Sequence, residues 1–288
     1  MNAPLPTIAA WTGVHHGVPI DEYHRLPGAS KSVLDSVAQS PAIAYARHID
    51  PARPAPREKA GQLEGQLAHC MVLEPESFAE RYIVGPDWNR NTNKWKDYVA
   101  EMAALRPGAV IIKEEQYETA LRQAESVRRL PEVCDALAVG AAEVTALWVD
   151  PDTGVQCRCR PDWVHDCGDA GVILLDLKTY SDASPAEFRR QIARKRYHVQ
   201  DAFYTDGYAA ASGRPVLGFI FVAVETEYPF AACALMLDDP AKDAGRSAYR
   251  LDLACYADCL RINQWPGYSD QIEIISLPAW ATTNRNEE

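Results

Sequence analysis

The stretch "PDWVHDCGDAGVILLDLK", residues 161–178, joins two strand-like segments through a loop rich in Gly and Asp. The second segment is apolar enough for a buried strand, yet it carries Asp176 and Lys178 two residues apart. Side chains at that spacing on a strand project from the same face. Asp162, at the end of the preceding strand, can join them. The sequence therefore predicts that two carboxylates and a lysine converge in a sheet.

Charged side chains in such a strand call for a physical reason, because buried charges without partners are very costly. Carboxylate oxygens are the ligands that hard divalent cations prefer, and a metal can activate water and neutralise phosphate charge in phosphodiester hydrolysis. A lysine can orient the water or stabilise the developing anion. A structural salt bridge between Asp176 and Lys178 is the simpler alternative, and the spacing alone does not separate the two.

The segments before this stretch predict an antiparallel meander. Residues 143–150 and 155–164 alternate as strands around a short turn, and residues 172–179 form the third strand. In this register Glu143 lies roughly opposite Asp162, although a turn shifted by one residue would move Glu143 to the other face.

The segment after the meander predicts a long helix. Ser184 is a candidate cap, followed by Pro185 and by Glu187 in a capping-box position, and the helix is expected to end near Gly213. Its buried stripe comprises Phe188, Ile192, Val199 and Phe203. A neighbouring flank comprises Tyr197, Gln200 and Tyr204.

The rest of the chain predicts an α/β fold with one mixed sheet surrounded by helices. Apolar strands are expected at 216–226 and 230–239, a helix over roughly 240–263, and a short late strand at 271–278. Residues 1–140 have mostly helical patterns. We therefore expect one domain over 1–288, with a helical N-terminal part before 141 and a sheet core after it.

Composition limits the classes of function. The formal net charge of −11 argues against a nonspecific nucleic-acid coat, because a phosphate backbone repels an acidic surface unless positive charge is concentrated locally. One dense basic patch exists, which is either a solvated helix face or a phosphate contact. It comprises Arg189, Arg190, Arg194, Lys195 and Arg196.

The remaining composition predicts a soluble, cytoplasmic protein without a membrane partner. The first residues lack the features of a signal peptide, and no window approaches eighteen uninterrupted apolar residues. The eight cysteines form no paired C-x-x-C set, so reduced thiols in the core are favoured over a metal site.

Several stretches together resemble the PD-(D/E)xK nucleases, specifically the RecE-type exonucleases (exodeoxyribonuclease VIII-like) found in prophages. The resemblance covers most of the chain. The stretches are "YHRLPGASKSVLDSVAQSPAIAY" (23–45), "GQLEGQLAHCMVLEPESF" (61–78), "CRCRPDW" (157–163), "LLDLKTYSDASPAEFRR" (174–190), "YHVQDAFYTDGY" (197–208) and "GYSDQIEIISLPAW" (267–280).

The resemblance implies a metal site. His69, Asp162 and Asp176 would hold the ion, and the carbonyl of Leu177 is a possible further ligand. Glu143 is a possible additional acid, reached only through the hairpin register.

The resemblance also implies the other catalytic residues, beside Asp162 and Asp176. Lys178 would be the catalytic lysine. Gln200 and Tyr204 match the family's helix motif, one turn apart, where both can face the scissile phosphate. Arg189 and Arg196 are the candidate DNA contacts in the basic patch.

The implied activity is that of a Mg²⁺-dependent exonuclease, with Mn²⁺ as a substitute, that degrades linear double-stranded DNA from the 5′ end. The 3′ single strand it leaves would serve recombination through an annealing protein. The resemblance further implies a ring-shaped homo-oligomer of bacterial or phage origin. Two alternatives stay open: another nuclease of the superfamily, such as an endonuclease or an iron-sulfur variant, and a DNA-end-binding module without catalysis.

Overall fold

The computed structural model describes residues 12–55 and 60–278, which form a mixed α/β structure. The helices are α1 (Ile20–Arg25), α2 (Lys31–Gln39), α3 (Pro41–Ala44), α4 (Gln62–Leu73), α5 (Pro75–Arg81), α6 (Asn93–Leu105), α7 (Glu114–Arg128), α8 (Pro131–Ala138), α9 (Pro185–Arg194), α10 (Tyr197–Ser212) and α11 (Asp239–Ile262). The strands are β1 (Gly13–His15), β2 (Tyr82–Val84), β3 (Val110–Ile112), β4 (Gly140–Ala142), β5 (Thr145–Val149), β6 (Gln156–Cys159), β7 (Trp163–Asp166), β8 (Val172–Tyr180), β9 (Val216–Glu225) and β10 (Ala232–Leu235).

A five-stranded mixed sheet in the order β10-β9-β8-β7-β4 forms the centre. Strands β8 and β9 run parallel, and the other neighbouring pairs are antiparallel. One face carries α4, α7 and α8, and the opposite face carries α9, α10 and α11. Because β8 and β9 are covered on both faces, their sequences are nearly continuous apolar runs. The expected α/β core with a mixed central sheet flanked by helices is confirmed.

The expectation of one sheet is wrong, because the first hairpin belongs to a separate sheet and β2 pairs with β3 in a parallel two-stranded sheet. Strands β5 and β6 pair with each other and with β1 in a three-stranded sheet. The long hairpin from 140 to 166 thus crosses from one sheet to the other, and its two arms bend at Glu143 and Asp162. Glu143 has a positive φ of 53°, which produces the bend in its arm. The Glu143 N–H donates to the Asp162 carbonyl oxygen at 2.9 Å, so the predicted register is confirmed.

The long helix predicted after Ser184 is two helices, α9 and α10. Arg196 between them adopts a left-handed conformation with φ 55° and ψ 43°, which no continuous helix accommodates. The predicted cap is present, since the Ser184 hydroxyl accepts a hydrogen bond from the Glu187 N–H at 3.3 Å. The expected stripe is nevertheless kept, because Phe188 on α9 and Phe203 on α10 pack into the same core.

The late strand predicted at 271–278 is absent. These described residues have no regular secondary structure, and their apolar side chains are exposed, Ile272 at 98% and Ile274 at 97%. The alternating pattern pairs with no sheet edge among the described residues.

Helix α11 is the longest helix of the described part, with 24 residues, and it covers α10. Its N-cap Asp238 accepts a hydrogen bond from the Ala241 N–H at 3.0 Å. Charged residues occur along its length. Within residues 12–55 and 60–278, no helix is both long and apolar enough to traverse a bilayer.

The crossing of α10 and α11 depends on Gly245. A β-carbon at this position would lie 1.9 Å from the backbone oxygen of His198, so the two helices could not approach as they do.

We expect Gly245→Ala to destabilise the fold by about 1–3 kcal/mol, measured by urea unfolding. Gly65 in α4 is the matched control, because its β-carbon would meet only Thr179 Oγ1, at 3.9 Å. Gly65→Ala should raise stability by roughly 0.5–1 kcal/mol through helix propensity. Equal effects of the two substitutions would contradict this account of the crossing.

Candidate active site

The site forms where β7 separates from β8. Their ladder ends at the pair Trp163 and Leu175, so the backbone groups of Leu177 on that side have no strand partner. The Asp162 side chain takes the Leu177 N–H, with Oδ2 accepting at 2.7 Å. The Leu177 carbonyl oxygen lies 3.0 Å from His69 Nε2, which donates to it when the proton is on that nitrogen. The bend of the hairpin therefore brings Asp162 and His69 to the same residue of β8.

Asp176 and Lys178 project from the face of β8 that α10 covers. Lys178 Nζ forms an ion pair with Asp176 Oδ2, and Gln200 Nε2 donates to Asp176 Oδ1 at 2.5 Å. Asp176 is only 2% exposed, so these contacts compensate a buried charge. Lys178 also lies over the ring of Tyr197, with Nζ 5.0 Å from the centroid.

Three possible ligands meet at the bend of the hairpin. His69, Glu143 and Asp162 each offer one ligand atom, and these atoms lie within 4.8 Å of one another. His69 Nδ1 is 3.6 Å from Asp162 Oδ2. Arg160 holds Glu143 through an ion pair of 2.6 Å between Nε and Oε2. The same guanidinium donates to the Val18 carbonyl oxygen at 2.6 Å, which anchors the cluster to the N-terminal segment.

The electrostatics of the site follow from burial and crowded carboxylates. Burial, with the nearby Asp176 carboxylate second, raises the pKa of Asp162 well above its usual range. Burial opposes the charge on Lys178, but the adjacent Asp176 and Asp162 outweigh it and raise the pKa of the lysine. Burial and then the field of Lys178 lower the pKa of His69, so the imidazole is neutral and can act as a ligand.

The residues present fit a divalent cation. Asp176 Oδ2 is buried and accepts no hydrogen bond of normal geometry from any described residue, although Lys178 neutralises it as an ion pair. The cluster of His69, Glu143 and Asp162 offers two carboxylates and a neutral imidazole, whereas Asp176 lies outside that cluster. A cation here would also remove the repulsion that raises the pKa of Asp162.

Tyr204 is half-buried one turn beyond Gln200 on α10. Its ring packs against Phe219 of β9, with centroids 6.1 Å apart. Burial holds the pKa of its phenol well above the usual range, and the neighbouring Tyr23 and Cys159 add to the shift. The phenol is therefore a neutral hydrogen-bond donor at physiological pH.

The basic patch divides between paired and unpaired side chains. Arg196 forms ion pairs with Asp35 at 3.2 Å and Asp252 at 2.5 Å, which tie it to α2 and α11. Arg190 pairs with Glu187 at 2.8 Å. Arg189 is exposed and makes no ion pair with any residue in the described part of the chain.

Two features of the site escaped prediction from the sequence. The first is Arg160, whose side chain orients Glu143. In "QCRCRPD" the polar residues Gln156, Arg158 and Arg160 alternate with cysteines. This alternation indicates that the three side chains share one strand face. The second is the contact of Tyr197 with Lys178, which depends on the break between α9 and α10 and has no local signal.

A cavity of about 800 Å³ adjoins the cluster. His69, Glu143 and Arg160 line it, together with Arg81 and Tyr82. The possible ligands are thus reachable from solvent.

Comparisons with known proteins identify the family. Residues 30–278 match the model described as a PDDEXK-like domain of unknown function (DUF3799). No curated protein matches the sequence.

Among solved structures, a presumed exonuclease from Eubacterium rectale shares the fold. Its TM-score is 0.54 at 10% identity, and the match covers 88% of this chain and 92% of that one. An alkaline exonuclease from Laribacter hongkongensis matches with a TM-score of 0.26 at 14% identity, covering 60% of this chain and 86% of that one, which is too weak to support an argument. The family match over most of its length shows that the chain belongs to the PDDEXK-like family DUF3799 and is a nuclease of the PD-(D/E)xK class.

Proposed function

We propose that the chain is a Mg²⁺-dependent exodeoxyribonuclease that degrades linear double-stranded DNA from the 5′ end and leaves a 3′ single strand. The proposal rests on two contacts of β8: Asp162 accepts the Leu177 N–H, and Asp176 and Lys178, one residue on either side of Leu177, form an ion pair. Two buried carboxylates beside one lysine suit a nuclease better than a structural salt bridge, because one lysine does not neutralise both acids.

Each residue has a distinct task in this proposal. Lys178 forms an ion pair with Asp176, and its ammonium group can orient the attacking water or donate a hydrogen bond to the developing anion. Gln200 keeps Asp176 in place through its hydrogen bond, which leaves Oδ2 directed to the site. Tyr204, as a neutral phenol on the same helix, can donate to a phosphate oxygen.

The metal would be held by His69, Asp162 and Asp176, with Glu143 and the Leu177 carbonyl as further ligands. Bound Mg²⁺, or Mn²⁺ in its place, would neutralise the scissile phosphate and lower the pKa of water. The predominance of oxygen ligands favours Mg²⁺.

The proposed partners are DNA ends, further copies of the chain and a single-strand annealing protein that receives the 3′ strand. A protein with a net charge of −11 needs a confined positive surface to hold a polyanion. The exposed Arg189 is the candidate phosphate contact near the site, and a ring of copies would enclose the duplex.

The first prediction concerns the reaction. We expect the protein to degrade linear duplex DNA in the presence of Mg²⁺ and to leave closed circular DNA intact, because attack begins at an end. DNA labelled at the 5′ or the 3′ end measures the direction. Cutting of the circle would indicate an endonuclease, and degradation of neither form would indicate a DNA-end-binding module.

The second prediction concerns the charged residues of β8. Asp176→Asn should lower the rate of digestion at least a thousandfold, or about 4 kcal/mol, because it removes metal charge at nearly constant volume. Lys178→Ala should be similarly inactive while still binding metal. Asp166→Asn is the control, because Asp166 lies exposed at the other end of the β7–β8 pair beside Arg214. Near wild-type rates for Asp176→Asn would show that the site lies elsewhere.

The third prediction separates binding of metal by His69 from packing. His69→Ala should raise the Mg²⁺ concentration that gives half-maximal activity about 10- to 100-fold. His165→Ala is the control, because His165 is on β7 outside the cluster of possible ligands, with Nδ1 2.8 Å from the Val139 carbonyl oxygen. Thermal unfolding of both variants measures stability separately. A lower melting temperature with an unchanged Mg²⁺ requirement would remove His69 from the metal site.

A further inference from the structure

Arg158 on β6 is a buried cation without an anionic partner. The residue is 8% exposed. The guanidinium donates to the carbonyl oxygen of Leu26 at the end of α1 and lies 5.4 Å from the centroid of the Tyr23 ring. It forms no ion pair with any carboxylate in residues 12–55 and 60–278. Its Nε is buried and has no hydrogen-bond partner there.

The contacts of Arg158 do not offset its charge. The end of α1 supplies only a partial negative charge, and the Tyr23 ring supplies a weak cation–π contact. Buried guanidinium groups are normally paired, because desolvation without a partner costs several kcal/mol. The structure therefore leaves room for an anion from outside the described residues.

A large open cavity lies against Arg158. Its volume is about 1190 Å³, and it is distinct from the cavity beside His69. Further cationic side chains line it, namely Arg25, Arg47, Arg53 and Arg261. The two acids in its wall are already engaged, since Asp152 pairs with Arg250 at 3.1 Å and Asp258 pairs with Arg261 at 3.0 Å. The cavity is thus a concentration of positive charge on an acidic protein.

Two histidines in the wall respond to this charge. Burial and then the field of Arg158 lower the pKa of both His24 and His48. His48 Nε2 lies 3.0 Å from the Ser36 hydroxyl, so a neutral ring has a partner. The neutral forms of both histidines add no positive charge beside Arg158. A bound anion would reduce the positive potential that lowers their pKa values.

We propose that this cavity binds the phosphate group of a nucleotide or of a DNA strand. The planar fork of a guanidinium matches the oxygens of phosphate, and two arginines on one phosphate bind it more firmly than a single one. The apolar side chains of Leu26, Ile49 and Leu260 in the wall can pack against a sugar or base. The volume of about 1190 Å³ is somewhat above the range of roughly 300–1,000 Å³ for small-molecule sites, so a mononucleotide would leave part of the cavity open.

The phosphate site goes beyond the proposed nuclease function and is separate from its chemistry. Arg160, two residues along β6, pairs with Glu143 in the nuclease site. The Tyr23 ring lies between the two arginines, 5.6 Å from Arg160. The two cavities are neighbours, yet they share no lining residue.

Calorimetric titration of the metal-free protein tests the proposal. The probes are inorganic phosphate, deoxyadenosine 5′-monophosphate, deoxyadenosine without phosphate, and a single-stranded oligonucleotide without a terminal phosphate. We expect the monophosphate or the oligonucleotide to bind and deoxyadenosine not to bind. Whichever phosphate probe binds more tightly identifies the source, a free nucleotide or a DNA backbone.

Variants assign the binding to this cavity. Arg158→Gln and Arg47→Gln should each weaken the phosphate probe at least tenfold, and the exposed Arg47 guards against failure of Arg158→Gln to fold. Arg214→Gln is the matched control, because Arg214 pairs with Asp166 at 2.6 Å away from the cavity. Because the titrations use metal-free protein, their result is independent of nuclease activity. Absence of binding by every phosphate probe, equal binding of deoxyadenosine, or affinity unchanged in both cavity variants would overturn the proposal.

Discussion

The site depends on the separation of β7 from β8 beyond Leu175. If the β7–β8 ladder continued, the Leu177 N–H and carbonyl would form hydrogen bonds with β7. Asp162 would then be an ordinary residue of that strand. Because the hairpin bends at Asp162, the Leu177 N–H is taken by a carboxylate and the carbonyl by His69. A backbone hydrogen-bond requirement thus positions a side chain of the proposed catalytic set.

The same bend explains why the charges gather without unfolding the core. Asp162 stands at the junction of the two sheets, where the cavity beside His69 and Glu143 reaches solvent. Asp176 is deeper, and Lys178 and Gln200 compensate it from β8 and α10. The arrangement holds one carboxylate firmly and leaves the other with a raised pKa, which is a state that a divalent cation would relieve.

The arginines near the two cavities differ in whether an acid pairs with them. Arg160 orients Glu143, and Arg196 connects α2 to α11 through two aspartates, so both arginines serve the fold. Arg158 is different, because its neighbours supply a carbonyl oxygen and an aromatic ring but no acid among the described residues. Arg158 is buried rather than exposed, and it lines an open cavity.

The sequence by itself determined the parts of the site that depend on local periodicity. Asp176 and Lys178 share a face because a strand alternates, whereas the sequence placed Glu143 opposite Asp162 only to within one residue of register. Only the tertiary structure decided the rest. His69 reaches Leu177 across 108 positions of sequence, through the packing of α4 on the sheet. The left-handed Arg196 divides the predicted helix, and its side chain pairs with aspartates on two other helices. The 271–278 segment pairs with no strand in residues 12–55 and 60–278. Local patterns specify which face a side chain takes, whereas long-range packing decides what that face meets.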